Sequence, residues 1–286
     1  MEAGLNFPST NYYADGMHVT TIPGTGLCVS RFVFGTGGLL NAGVSSRRRQ
    51  LLFAAVDAGF THFDTAPYYG FGAAERDLAE ILRARPEVTF TTKVGLHPPG
   101  GADQPAATAV VRKLLGRAFG SLSRPLVDFS VSSARRSLEG SLRRTGRDRV
   151  DLYLLHDPVA RLVATDEWRK WLDSCAASGK IRYSGMALSA DAVGPFLDGG
   201  AAIGAVIQLR DSVAGREADV LERYGRERQI TYGYVSAALR ADPHCRVADV
   251  LRTALERNRR GAVIVTSGRP DRLRQYAELA ETATHD

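Results

Sequence analysis

The sequence is short of cysteine, lysine and long apolar runs, and each shortage excludes something. Its three cysteines, Cys28, Cys175 and Cys245, are odd in number, far apart and without metal-site spacing. No disulfide framework and no metal are expected; three reduced thiols in a cytoplasmic protein is the plain reading. Lysine occurs only at Lys93, Lys113, Lys170 and Lys180, so arginine carries almost all of the basic charge behind the net +6. The densest basic run, Arg47-Arg48-Arg49, opens an amphipathic pattern and is expected on its solvated face, so no nucleic-acid partner is expected. No apolar run approaches the roughly 18 residues that span a bilayer. The opening "MEAGLNFPSTNYYADG" has no basic start before an apolar core. Neither a membrane partner nor a signal peptide is therefore expected.

What is present is an ordinary globular composition, 44% hydrophobic and 24% charged over 286 residues, enough to bury a full core. Short apolar runs recur at 31–35, 61–66, 88–95, 151–157, 181–188, 205–210, 230–236 and 262–268. Several are apolar throughout, as strands covered on both faces should be. Helical patterns alternate with them at 45–59, 73–84, 133–145, 165–178, 190–198, 215–228, 247–259 and 270–282. The first of these is expected to start on a serine cap and end at Gly59. Eight strands alternating with eight helices predict an α/β fold, a (β/α)8 TIM barrel forming a single domain over 1–286. The runner-up is a doubly wound open sheet. It would be expected to show a glycine fingerprint after its first strand, and "GTGGLLNAG" does not match G-x-G-x-x-G. Residues 17–31 predict an N-terminal β-hairpin, set as a plug on the barrel floor. Residues 96–130, Pro/Gly-rich at the start and helical in the middle, predict an insertion covering the site.

Ligands of such a barrel bind at the carboxyl ends of its strands. Asp64 ends the second strand, Lys93 the third and His156 the fourth, and Tyr69 follows in the loop after the second. Each has a plain alternative: a turn cap, a solvated strand end, a core histidine and a loop aromatic. Together they suit proton transfer. A phenol titrates near ~10 and exchanges protons poorly at neutral pH, whereas a neighbouring ammonium lowers that value. A carboxylate holds the ammonium, and a histidine can orient a carbonyl or relay a proton. The matching hydride transfer needs a nicotinamide cofactor, because no side chain supplies a hydride.

"DTAPYYG", "TTKVG", "SLRRTGRDRVDLYLLHDP" and "GKIRYSGMALS" occur in an order that resembles the aldo-keto reductases. The resemblance implies Tyr69 as general acid/base, Lys93 as its pKa partner, Asp64 as support for Lys93 and His156 as the carbonyl-orienting residue. "VDFSVSSARRSLEGSL" is most similar to the branch of aldose (L-fucose, D-threo-aldose) and pyridoxal dehydrogenases. That branch often oxidises a sugar hemiacetal to a lactone, with the tyrosine acting as base. The expected substrate is a small carbonyl compound or sugar.

The resemblance also implies cofactor contacts from Thr36, Asp64, Ser189, Gln208, Ser236, Ser267, Gly268, Arg269 and Arg272. The arginines lean toward NADP(H), with NAD(H) also possible. Three departures stand out. The carboxamide-holding Ser-Asn pair is replaced by Ala187 and Leu188, with Ser189 just beyond. Tyr276 stands at the adenine-contacting Asn, and only "AALRADPHCR" follows the seventh strand before the next helix. They motivate a second reading, a non-catalytic barrel that senses nicotinamide nucleotide or docks on a protein.

Overall fold

Strands that are apolar on both faces need cover on both faces, and a closed barrel inside a ring of helices supplies it. The computed structural model describes residues 17–104 and 124–282 and has that architecture. A hairpin of β1 (Val19–Thr21) and β2 (Cys28–Ser30) leads into β3 (Phe32–Gly35), β4 (His62–Asp64) and β5 (Thr89–Val94). A short antiparallel pair, β6 (Leu96–His97) with β7 (Leu126–Val127), leaves the end of β5. The remaining barrel strands are β8 (Val150–His156), β9 (Ile181–Leu188), β10 (Val206–Arg210), β11 (Ile230–Tyr232) and β12 (Ala262–Val265). Eight parallel strands close in the order β10-β11-β12-β3-β4-β5-β8-β9. The surrounding α-helices are α1 (Ser45–Asp57), α2 (Ala73–Ala84), α3 (Val131–Thr145), α4 (Thr165–Ala177), α5 (Ala190–Leu197), α6 (Tyr234–Ala241), α7 (Val247–Arg257) and α8 (Pro270–Thr282).

Alternation along each strand sorts the side chains into two layers. Val33, Leu152, Leu154, Val206 and Ile230 fill the interior, and the hairpin's Ile22 and Leu27 join them from below. The Gly26 amide donates to the Tyr183 hydroxyl at 2.8 Å, which fixes this plug to the floor. Phe34, Phe63, Phe90 and Tyr153 face the helices. Strand β5 is anchored on that outer side. The Thr92 hydroxyl donates to Glu75 at 2.7 Å, and Glu75 forms a buried ion pair with Arg144 at 2.7 Å. Removing one partner of such a pair costs about 3–5 kcal/mol, so α2, α3 and β5 are locked where the inward-facing Lys93 follows.

Several local expectations are corrected. Ser45 does not cap α1; Val44 occupies the cap without a side-chain bond, and the Ser45 hydroxyl donates to Asp77 instead. The helix expected over 215–228 is a 3-10 helix at Glu217–Tyr224. The strand expected over 230–236 stops at Tyr232, because Gly233 takes φ 104° and Tyr234 starts α6. The Tyr234 phenol donates to Asp211 at 2.6 Å, and Arg257 pairs with the same carboxylate at 2.8 Å. In the short segment "AALRADPHCR", residues 237–241 thus continue α6, whose start is tied down through one buried carboxylate. The arginine run is not one solvated face either: Arg48 pairs with Asp77 at 2.5 Å and Arg49 with Glu80 at 2.8 Å, joining α1 to α2. The helical middle expected inside 96–130 lies outside the described residues. Among the described residues, no helix is long and apolar enough to cross a membrane, and no three His, Cys, Asp or Glu side chains gather as metal ligands.

His62 lies in the barrel interior below the mouth. Its Nδ1 and Nε2 meet the hydroxyls of Thr89 and Thr91 at 2.7 and 2.8 Å. Burial, helped by the charge of Lys93, pushes its pKa from 6.5 down to about 3. The folded state therefore holds it neutral while the unfolded chain takes up a proton below about pH 6.5. Stability rises with pH across that window and is lost as pH falls, by at most about 1.4 kcal/mol per unit for this group. Urea midpoints at pH 7 and pH 5 should differ for the native sequence, and the difference should shrink in His62→Gln. An undiminished difference in the variant would contradict the assignment.

Candidate active site

The parallel register brings the strand ends to one level. Asp64 stands opposite Thr91, Lys93 opposite Leu154 and His156 opposite Ala187. Their side chains line a cavity of about 240 Å³ with Tyr69, Gln208 and Tyr232. Lys93 is only 2% exposed. Its Nζ donates to Asp64 Oδ1 at 2.5 Å, to the Thr65 carbonyl at 3.2 Å and to the Tyr69 hydroxyl at 3.3 Å. An ammonium has three N–H groups, and here each has an acceptor. The second Asp64 oxygen accepts from the Gln208 amide at 2.7 Å.

Burial works against the Lys93 charge, yet Asp64 and Tyr69 outweigh it and raise the pKa above the ordinary lysine value. The fixed cation then acts on its neighbours. Burial raises the Tyr69 phenol above its ordinary value, and Lys93 pulls it part of the way back. At neutral pH Tyr69 is a protonated donor. The His156 ring stands edge-on to Tyr69, with centroids 5.7 Å apart and planes at 89°. Burial, then Lys93, pushes His156 down to about 3. It is a neutral imidazole, and its ring nitrogens have no hydrogen-bond partner among the described residues, which leaves an N–H for a ligand oxygen.

Beside this pocket, and sharing Gly35 and Thr266 with it, lies a cavity of about 500 Å³ between the β3–α1 loop, α6 and the start of α8. Ser236, Ser267, Gly268 and Arg272 line it, so four expected cofactor contacts are gathered. The others have different surroundings. The Thr36 amide and hydroxyl both donate to the Asp64 carbonyl, at 2.9 and 3.0 Å, so this hydroxyl braces the strand end instead of facing a ligand. Gln208 is in the pocket, but its amide N–H is engaged by Asp64. Ser189 lines a separate groove of about 440 Å³ with Asp157 and Arg161. Arg269 is exposed and paired with Asp271 at 2.5 Å.

Three residues of these walls escaped the sequence reading. Tyr232 follows Ile230 at the two-residue spacing of interior positions, which was a usable signal. Asp157 follows His156 at the rim with φ 47°, a left-handed conformation uncommon outside glycine. Arg47 lines the larger cavity, whereas its neighbours pair with α2.

The family model described as "Aldo/keto reductase family" matches residues 31–192. Among curated proteins, pyridoxal 4-dehydrogenase of Microbacterium luteolum is 34% identical over 165 residues, 55% of this chain and 48% of that protein. D-threo-aldose 1-dehydrogenase of Pseudomonas sp. is 34% identical over 145 residues, 46% of this chain and 41% of that protein. The matches thus span about half the length of these relatives. An aldo-keto reductase structure from Bacillus halodurans superposes with a TM-score of 0.72 at 19% identity, covering 93% of this chain and 91% of that one. At that identity the likeness establishes the fold. The family model covers more than half of the chain, and on that ground the chain belongs to the aldo/keto reductase family.

Proposed function

We propose that this chain is an NAD(P)(H)-dependent oxidoreductase that interconverts a small aldehyde, ketone or sugar hemiacetal with its reduced or oxidised partner. The observation that carries the reading is the Lys93 ammonium, shared between Asp64 at 2.5 Å and the Tyr69 hydroxyl at 3.3 Å, with His156 facing the same phenol. The larger cavity fits a dinucleotide at its phosphate-bearing end: Arg47, Arg272 and Ser267 line it, and no carboxylate does among the described residues. The nicotinamide end is less polar, since Ala187 and Leu188 are buried apolar residues and Gln208 already serves Asp64.

A bound nicotinamide supplies or accepts the hydride. The His156 N–H orients the substrate oxygen. The Tyr69 hydroxyl passes its proton to that oxygen during reduction, and Lys93 stabilises the phenolate left behind. Asp64 keeps the ammonium charged and in place. In the oxidative direction the same phenolate takes the proton back. The relatives named for pyridoxal and D-threo-aldose support the aldehyde and aldose classes. Asp157 follows His156 in the chain and is near enough to Lys93 for the ammonium charge to act on it, and it offers a polar partner at the rim to hydroxyl groups of such a substrate.

Incubation with NADPH and an aldehyde and aldose panel should give a fall in absorbance at 340 nm. Tyr69→Phe should reduce kcat about 10²- to 10⁴-fold. Dinucleotide binding without turnover on any substrate would move the chain to the sensing reading. The pH profile for reduction should be flat through neutrality, because the phenol titrates above its ordinary value and His156 near about 3. An inflection near pH 6.5 that vanishes in His156→Gln would contradict the neutral imidazole. Asp157→Asn, which keeps a residue tolerant of positive φ, should raise KM for an aldose more than for an unsubstituted aldehyde. Equal effects on both would remove Asp157 from substrate recognition.

A further inference from the structure

We propose that Arg47 is a ligand for a phosphate group of the dinucleotide, clamping it together with Arg272; this rests on the oxidoreductase reading above. Arg47 lies in the first turn of α1 and Arg272 in the first turn of α8, and the two helices adjoin. Both side chains line the cavity of about 500 Å³ that meets the catalytic pocket at Gly35 and Thr266.

The pairing pattern separates these two arginines from those beside them in the chain. Arg48 pairs with Asp77, Arg49 with Glu80 and Arg269 with Asp271. Among the described residues, Arg47 and Arg272 have no ion-pair partner and no Asp or Glu lines their cavity. Two guanidinium groups in one cavity, neither paired with a carboxylate among the described residues, favour an anion there, and their planar forks match phosphate oxygens. The wall between them leaves room for the ligand. At Gly268 an added Cβ would meet nothing within 4 Å, so the approach to α8 is open. A phosphate there would stand on the far side of the Gly35–Thr266 junction from Tyr69, as an extended dinucleotide with its nicotinamide in the pocket requires.

Fluorescence titration of the full chain tests this. NADPH, NADH and adenosine 2′,5′-bisphosphate are the probes, and Arg47→Gln, Arg272→Gln and Arg49→Gln the variants. Arg49→Gln removes the same charge from the same helix, but at a residue paired with Glu80. Arg47→Gln and Arg272→Gln should each weaken NADPH binding by about ten-fold or more, and Arg49→Gln by less than about two-fold. Loss confined to NADPH and the bisphosphate assigns the clamp to the 2′-phosphate; equal loss for NADH assigns it to the diphosphate. Unchanged NADPH affinity in Arg47→Gln, or equal loss in Arg49→Gln, overturns the clamp and leaves the oxidoreductase reading standing. If the native chain binds neither dinucleotide, that reading fails. The clamp then survives only if bisphosphate binding is present and is lost in Arg47→Gln, and otherwise falls with it.

Discussion

The structure of the barrel mouth depends on one buried ammonium. Lys93 has almost no exposure, and a charge so placed costs several kcal/mol unless its hydrogens find acceptors. Asp64, the Thr65 carbonyl and Tyr69 supply them, all from the strand beside β5 and the loop that follows it. The ion pair therefore ties β4 to β5 and sets the position of the phenol in the same act. The supports reach further round the barrel. Thr36 on the β3 side holds the Asp64 main chain, and Gln208 on β10 covers its second oxygen. Thr92 and Glu75 anchor β5 from outside.

A fixed cation in a dry pocket also sets the protonation of what surrounds it. His156 and His62 lie on opposite levels of the same interior, and burial together with Lys93 keeps both neutral. For His62 the consequence is acid sensitivity of the fold. For His156 it is an N–H donor that does not repel Lys93. The phenol of Tyr69 feels the opposing pulls of burial and of the ammonium. A proton donor whose conjugate base is stabilised by a permanent neighbour is suited to reversible transfer.

The eight-strand barrel was legible because its strands are short, apolar on both faces and evenly spaced by helices. The four residues at its mouth were legible because strand ends share one level in a parallel barrel, so Asp64, Lys93 and His156 had to converge. What was not legible depended on the choice of side-chain partner. Thr36 and Gln208 have hydrogen-bonding groups that suit a ligand, and nothing in their neighbours shows that Asp64 engages both. Arg47, Arg48 and Arg49 are chemically identical in sequence, and only the placement of Asp77 and Glu80 on α2 separates the two that pair from the one that faces the cavity. Similarly, "ITYGYVS" reads as strand throughout until Asp211 and Arg257, distant in sequence, draw Tyr234 into a helix.

The central claim is that Lys93 governs the proton on Tyr69. Following the ring-carbon NMR signal of Tyr69 through a pH titration, with ¹³C-labelled tyrosine in the native chain and in Lys93→Met, tests it most directly. Tyr69 should remain protonated through neutrality in both, and its titration should move to higher pH when the ammonium is removed. A Tyr69 that titrates at the same pH in the two proteins would contradict the account.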